Sequence, residues 1–128
     1  MTIFDYFETV QRSLRQNHAI GFLEPPALTQ AFDDYRGLFR AHIFFWDDSH
    51  LTIDEVIDTT PGYPDILRYS YTYVRGAEHV FRYDNAPHHP DLATFPHHKH
   101  IGPHETVAAS ERPSLNQVFG EIERILSA

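Results

Sequence analysis

Four prolines, Pro87, Pro90, Pro96 and Pro103, punctuate the stretch between Asp84 and His104, and they constrain the fold more than any other feature of the chain. Each fixes its own φ and lacks an N–H, so the stretch is expected to form neither a continuous helix nor a central strand. The expectation is a long loop stiffened by proline. Six of the ten histidines fall between Asn85 and His104, alongside one acid, Asp91, and one lysine, Lys99. Imidazoles titrate near neutrality, so the charge of this segment can climb steeply there.

The elements on either side follow from periodicity. Thr2 followed by Asp5 resembles a capping box, and Ile3, Phe7, Val10 and Leu14 recur at helical spacing, which predicts an amphipathic helix over 3–16. Asn17 and Gly21 can end it, and Pro25-Pro26 opens a second helical turn through Tyr35. From Gly37 the period shifts toward two. Leu38 to Trp46, a turn at Asp47-Asp48-Ser49, and Leu51 to Ile57 read as a hairpin. Leu67, Tyr69, Tyr71 and Tyr73 alternate with Arg68, Ser70 and Thr72 in a third strand, and Gly76 turns the chain into a fourth, Glu78 to Tyr83. After the loop, Pro113-Ser114 opens a final helix with Leu115, Val118, Phe119, Ile122 and Leu126 on one face. The fold class is α+β: a four-stranded antiparallel meander packed by an N-terminal and a C-terminal helix, with a long His/Pro-rich loop after the fourth strand. A length of 128 residues fits a single domain over 1–128.

Alternation turns Leu67, Tyr69, Tyr71 and Tyr73 toward the core and Arg68, Ser70 and Thr72 away from it. Arg40 and His42, and Arg82 and Asp84, have matching polar parity within their own strands. One sheet face then gathers three arginines, a histidine and a carboxylate near the start of the histidine segment; the plainer reading is a solvated face with ordinary ion pairs. The tyrosines read first as packing, although Tyr71 or Tyr73 can bring a hydroxyl to the mouth of a site.

Composition excludes several chemistries. Without cysteine there is no disulfide, no thiolate catalysis and no Cys-ligated zinc, so any metal would need His and carboxylate ligands. A net charge of −8 disfavours a broad grip on nucleic acid and leaves room only for a local basic site. The sequence has no membrane-spanning apolar stretch and an acidic rather than basic N-terminus, which predicts a cytoplasmic protein. A Phe-rich first strand exposed at the sheet edge invites a covering partner, and a homodimer is equally compatible.

Three chemistries suit the histidines. Neutral imidazoles ligate transition metals, but the sequence contains no HExxH and no clear facial triad, so no metal or cofactor is assigned. Acid–base cleavage of RNA needs a base for the 2′-hydroxyl, an acid for the 5′-oxygen and cations around phosphorus. His88, His89, His97, His98, His100 and Asp84 are the candidates for proton transfer, and Lys99, Arg82, Arg40 and Arg68 for phosphate. A rigid packing loop is the third reading.

The words Phe81-Arg82-Tyr83-Asp84-Asn85-Ala86-Pro87-His88-His89-Pro90 and Thr94-Phe95-Pro96-His97-His98-Lys99-His100 resemble the signature of the TumE-like family of small prokaryotic proteins, with Tyr69-Ser70-Tyr71 and Pro113-Ser114-Leu115 in the same pattern. The resemblance spans roughly residues 36 to 127. It implies the toxin of a type II toxin–antitoxin pair, acting in the cytoplasm and accompanied by a small helix-turn-helix antitoxin. Joined to the residue chemistry, it yields a metal-independent ribonuclease as the leading expectation. A non-catalytic module that docks its target or antitoxin, and a His-ligated metalloprotein, are the alternatives.

Overall fold

Helix α1 (Ile3–Gln16) begins where Thr2 and Asp5 cap each other. Asp5 Oδ2 accepts from the Thr2 amide at 2.7 Å and Thr2 Oγ1 from the Asp5 amide at 3.2 Å. The structure is a computed structural model and describes residues 1–16, 21–23 and 27–128. Asn17, expected to stop the helix, and Pro25-Pro26 lie outside the described residues. Gly21, the other expected stop, begins strand β1 (Gly21–Leu23). The second helical turn is not found in its described part. Residues Leu28–Ala31 form strand β2, and 32–35 bend where Asp33 Oδ1 accepts the amides of Tyr35 and Arg36 at 2.8 and 2.7 Å. Pairing across to the next strand gives this segment backbone partners that outweigh its weak helical preference.

The four expected strands are β3 (Arg36–Phe45), β4 (His50–Asp58), β5 (Asp65–Arg75) and β6 (Glu78–Asp84). Two more arise inside the expected loop, β7 (His98–Ile101) and β8 (Thr106–Ala109). Among the described residues the meander of four is therefore an antiparallel sheet of eight, ordered β1-β3-β4-β5-β6-β7-β8 with β2 also on β3. β7 lies between β6 and β8, so the prolines did not forbid a central strand. Pro96 and Pro103 stand just outside it, and all four of its residues keep their N–H groups. The irregular part of the loop shrinks to residues 85–97. The Phe-rich β3 is also not an open edge, because β1 and β2 both pair with it.

Gly102 makes the turn from β7 to β8 feasible. A Cβ there would meet the His79 carbonyl oxygen at 1.7 Å, while the Gly102 amide donates to the Val80 carbonyl at 3.0 Å. Helix α2 (Leu115–Ser127) starts with a reciprocal cap between Ser114 and Gln117. Both helices pack on one face of the sheet. Ile3, Tyr6, Phe7, Val10 and Leu14 of α1 and Val118, Phe119 and Ile122 of α2 join Phe39, Ile53, Tyr71, Tyr73 and Phe81 in one core.

Register then fixes what the other face displays. Arg40, Asp54, Ser70, Asp84 and His98 lie opposite one another across five strands, and His42, Thr52, Thr72, Arg82 and His100 form the next row. The intervening row, Ala41, Ile53, Tyr71, Tyr83 and Lys99, faces the helices. Leu67 departs from the expected stripe: pairing shifts near it, with Val56 on Arg68 and Ile57 on Ile66, and its side chain is exposed.

Candidate active site

The helix-free face carries a cleft of about 460 Å³, and Arg40, Arg68, Ser70, Arg82, Asp84, Asn85, His88, His98 and His100 are among its lining residues. Its floor is organised by one carboxylate. Asp84 Oδ1 lies 2.9 Å from His98 Nε2 and accepts the Ala86 amide at 3.0 Å. Asp84 Oδ2 accepts from Arg82 Nε at 3.0 Å and lies 3.4 Å from His100 Nε2.

The strands place these groups. Asp84 ends β6 directly opposite His98, and Arg82 sits opposite His100, so alternation and register bring all four side chains to one face. Asn85 extends the β5–β6 ladder by a side chain. Its Oδ1 accepts the Tyr69 amide at 3.1 Å and its Nδ2 donates to the Leu67 carbonyl at 2.9 Å, which holds the chain at the cleft wall.

His98 is 1% exposed, and Nδ1 lies 2.9 Å from the Pro96 carbonyl. A carbonyl can only accept, so Nδ1 carries a proton and Nε2 is the atom turned to Asp84. His98 therefore works as a buried anchor for Asp84. His100 is half-buried beside it, and its Nδ1 lies 3.5 Å from Glu105 Oε2. Burial first, and then the Arg82 guanidinium, hold the His100 imidazole below the ordinary histidine range, so it is neutral near pH 7. This is an orienting carboxylate beside a neutral, solvent-reachable imidazole, the geometry general acid–base chemistry requires.

The other sequence candidates divide. Arg82, Arg40 and Arg68 line the cleft, with Arg40 Nε bonded to Asp54 Oδ1. His88 is exposed at its rim. His89 is also exposed, with φ 61, and its ring centroid lies 5.4 Å from that of His98 and 6.1 Å from that of His100. Lys99 is elsewhere. Its Nζ is 2.6 Å from Glu121 Oε2 of α2 and lies over the Tyr83 ring, on the helix-bearing side. His97 turns the same way and stacks on Tyr69, whose hydroxyl is 3.0 Å from His97 Nδ1. Neither tyrosine hydroxyl expected at the mouth arrives there: Tyr71 donates to Glu55 Oε2 at 2.6 Å and Tyr73 to Ser49 Oγ at 2.8 Å, both in the core.

Two groups near the site escaped the sequence reading. Glu105 reaches His100 only because β8 folds back, and it adopts φ 54. Glu55 shares its parity with Leu51, Ile53 and Ile57 and points with them into the core, held by the hydroxyls of Tyr6 and Tyr71. Its core-side parity was a readable signal.

Among the described residues no helix is long and apolar enough to cross a membrane. The family model described as toxin TumE matches residues 23–126. No curated protein and no solved structure matches the chain.

Proposed function

The chain belongs to the toxin TumE family, and from that premise we propose that it is the toxin of a toxin–antitoxin pair and cuts RNA without a metal. The observation that carries the reading is the convergence of His98, His100, Arg82 and the Ala86 amide on Asp84, at the floor of a cleft walled by Arg40 and Arg68.

Single-stranded RNA would thread the open sheet face with its phosphate against the arginines, whose fixed planar forks suit phosphate oxygens. Neutral His100, oriented by Asp84, takes the 2′-hydroxyl proton. The 2′-oxygen then attacks phosphorus, and the P–O5′ bond breaks as His88 at the rim protonates the leaving oxygen, giving a 2′,3′-cyclic phosphate and a free 5′-hydroxyl. Arg82 sits where the charge on the phosphorane oxygens develops. His98 is a positioning residue, since it reaches the reaction only through Asp84. An acidic body is compatible with this chemistry because phosphate meets only the cleft.

The antitoxin belongs to the same proposal: a small helix-turn-helix protein encoded beside this chain. Incubation of purified, tag-free protein with single-stranded RNA in EDTA tests the catalytic reading. Cyclic-phosphate ends from the wild type, absent with Asp84→Asn, are expected. Growth arrest without any cleavage would favour a non-catalytic docking module.

A further inference from the structure

The candidate ligand atoms of His89, His98 and His100 all lie within 4.8 Å of one another. Their sequence spacing gave no recognisable metal motif. Strand pairing supplies what the spacing could not, because it sets a carboxylate against two of the imidazoles.

His98 Nε2 and His100 Nε2 face the two oxygens of Asp84 at 2.9 and 3.4 Å. Neighbouring ligands of a tetrahedral ion with bonds of about 2.0–2.1 Å are about 3.3 Å apart, so the two imidazoles and the carboxylate stand close to ligand separation already. The far nitrogen of His98 is anchored as in metal-bound histidines, donating to the Pro96 carbonyl at 2.9 Å, and His100 Nδ1 lies 3.5 Å from Glu105 Oε2. His89, held with φ 61, brings a third ring over the pair from the solvent side. Arg82 Nε on Asp84 Oδ2 at 3.0 Å is a cation that opposes a metal here.

We propose that His89, His98 and His100 together with Asp84 form a site for one first-row divalent ion, best matched by Zn²⁺. Three imidazoles and one carboxylate are a donor set for zinc, nickel or copper and a poor one for magnesium or calcium. An ion held by these residues occupies the same His100 and Asp84 that the proposed proton transfer uses, so an occupied site has lost the arrangement in which Asp84 orients His100. The ion is thus an occupant that silences proton transfer there, not a participant in it.

Isothermal titration of tag-free protein with zinc chloride tests the site. The expected result is one saturable equivalent of Zn²⁺, and no binding of Mg²⁺. His89→Ala, in an exposed loop that tolerates the change, should weaken Zn²⁺ by about tenfold or more, and Arg82→Gln should tighten it. His42→Ala should leave the affinity unchanged, because the His42–His50 contact at 2.8 Å is a separate pair at the far end of the sheet face. Absence of saturable binding, or an affinity indifferent to His89→Ala, overturns the proposal. RNA cleavage in EDTA is a separate readout, so the metal site and the ribonuclease reading can fail independently.

Discussion

Lys99 and His100 are neighbours in sequence and face opposite sides of the sheet: Lys99 Nζ is 2.6 Å from Glu121 Oε2 beneath α2, while His100 Nε2 is 3.4 Å from Asp84 Oδ2 in the cleft. The pairing of Lys99 with Glu121 ties β7 to the helix layer. Replacing Lys99 with Met should lower unfolding free energy by about 1.5–3 kcal/mol, the usual worth of a hydrogen bond to a charged group. Chemical denaturation measures this, and RNA cleavage per folded molecule should be unchanged.

Asp84 bears on both folding and chemistry. Asp84→Asn leaves buried His98 without its carboxylate, and a buried group that loses its hydrogen-bond partner costs about 1–3 kcal/mol. Thermal unfolding should drop accordingly, whereas His88→Ala at the exposed rim should leave the melting temperature within about a degree or two, since such surface changes stay within about 0.5 kcal/mol.

Glu55 sets a pH dependence on the other face. Burial raises its pKa above the ordinary 4.5, against the lowering effect of the Tyr6 and Tyr71 hydroxyls and of Arg112. The folded state therefore holds this proton more tightly than the unfolded state, and Glu55 disfavours folding increasingly as pH rises above 4.5 toward its folded pKa. Glu55→Gln removes the titration. The stability of the wild type relative to this variant should fall across that window; equal pH profiles for the two proteins would contradict the burial argument.

Gly102 is expected to tolerate no side chain, because a Cβ would lie 1.7 Å from the His79 carbonyl oxygen. Gly102→Ala should part the β7–β8 hairpin from β6 and displace His98 and His100 from Asp84. Amide exchange would report this as protection lost in β7 and β8 and retained in β3 and β4.

The open face should bind RNA through countable phosphates. Arg68 is exposed and lines the cleft. Arg68→Ala should reduce the slope of log affinity against log salt by about 0.7, the value for one phosphate contact on a single strand.

Much of this was legible in the residues. The alternation in β3 to β6 announced a two-faced sheet, and the parity of Arg40, Arg68, Arg82 and Asp84 collected them on one side. What was not legible came from pairing at a distance. Proline density in 87–103 concealed β7 and β8, because proline forbids a strand only at its own position, and His98–Ile101 lies between two of them. Without β7 its alternation is hidden, and Lys99 and His97 fall in with the cleft histidines by sequence proximity alone. Once β7 is placed, the same two-residue period separates them. The role of His98 changed for a related reason: its burial depends on the cover given by residues 85–97, which no periodicity describes.

The most direct test of the account is single-stranded RNA incubated in EDTA with wild-type protein and with folded His100→Ala. Cleavage by the wild type yielding 2′,3′-cyclic phosphate ends, reduced by about a hundredfold or more in the variant as expected for loss of a general base, is the predicted result. No cleavage by the wild type, or equal cleavage by the two proteins, would contradict it.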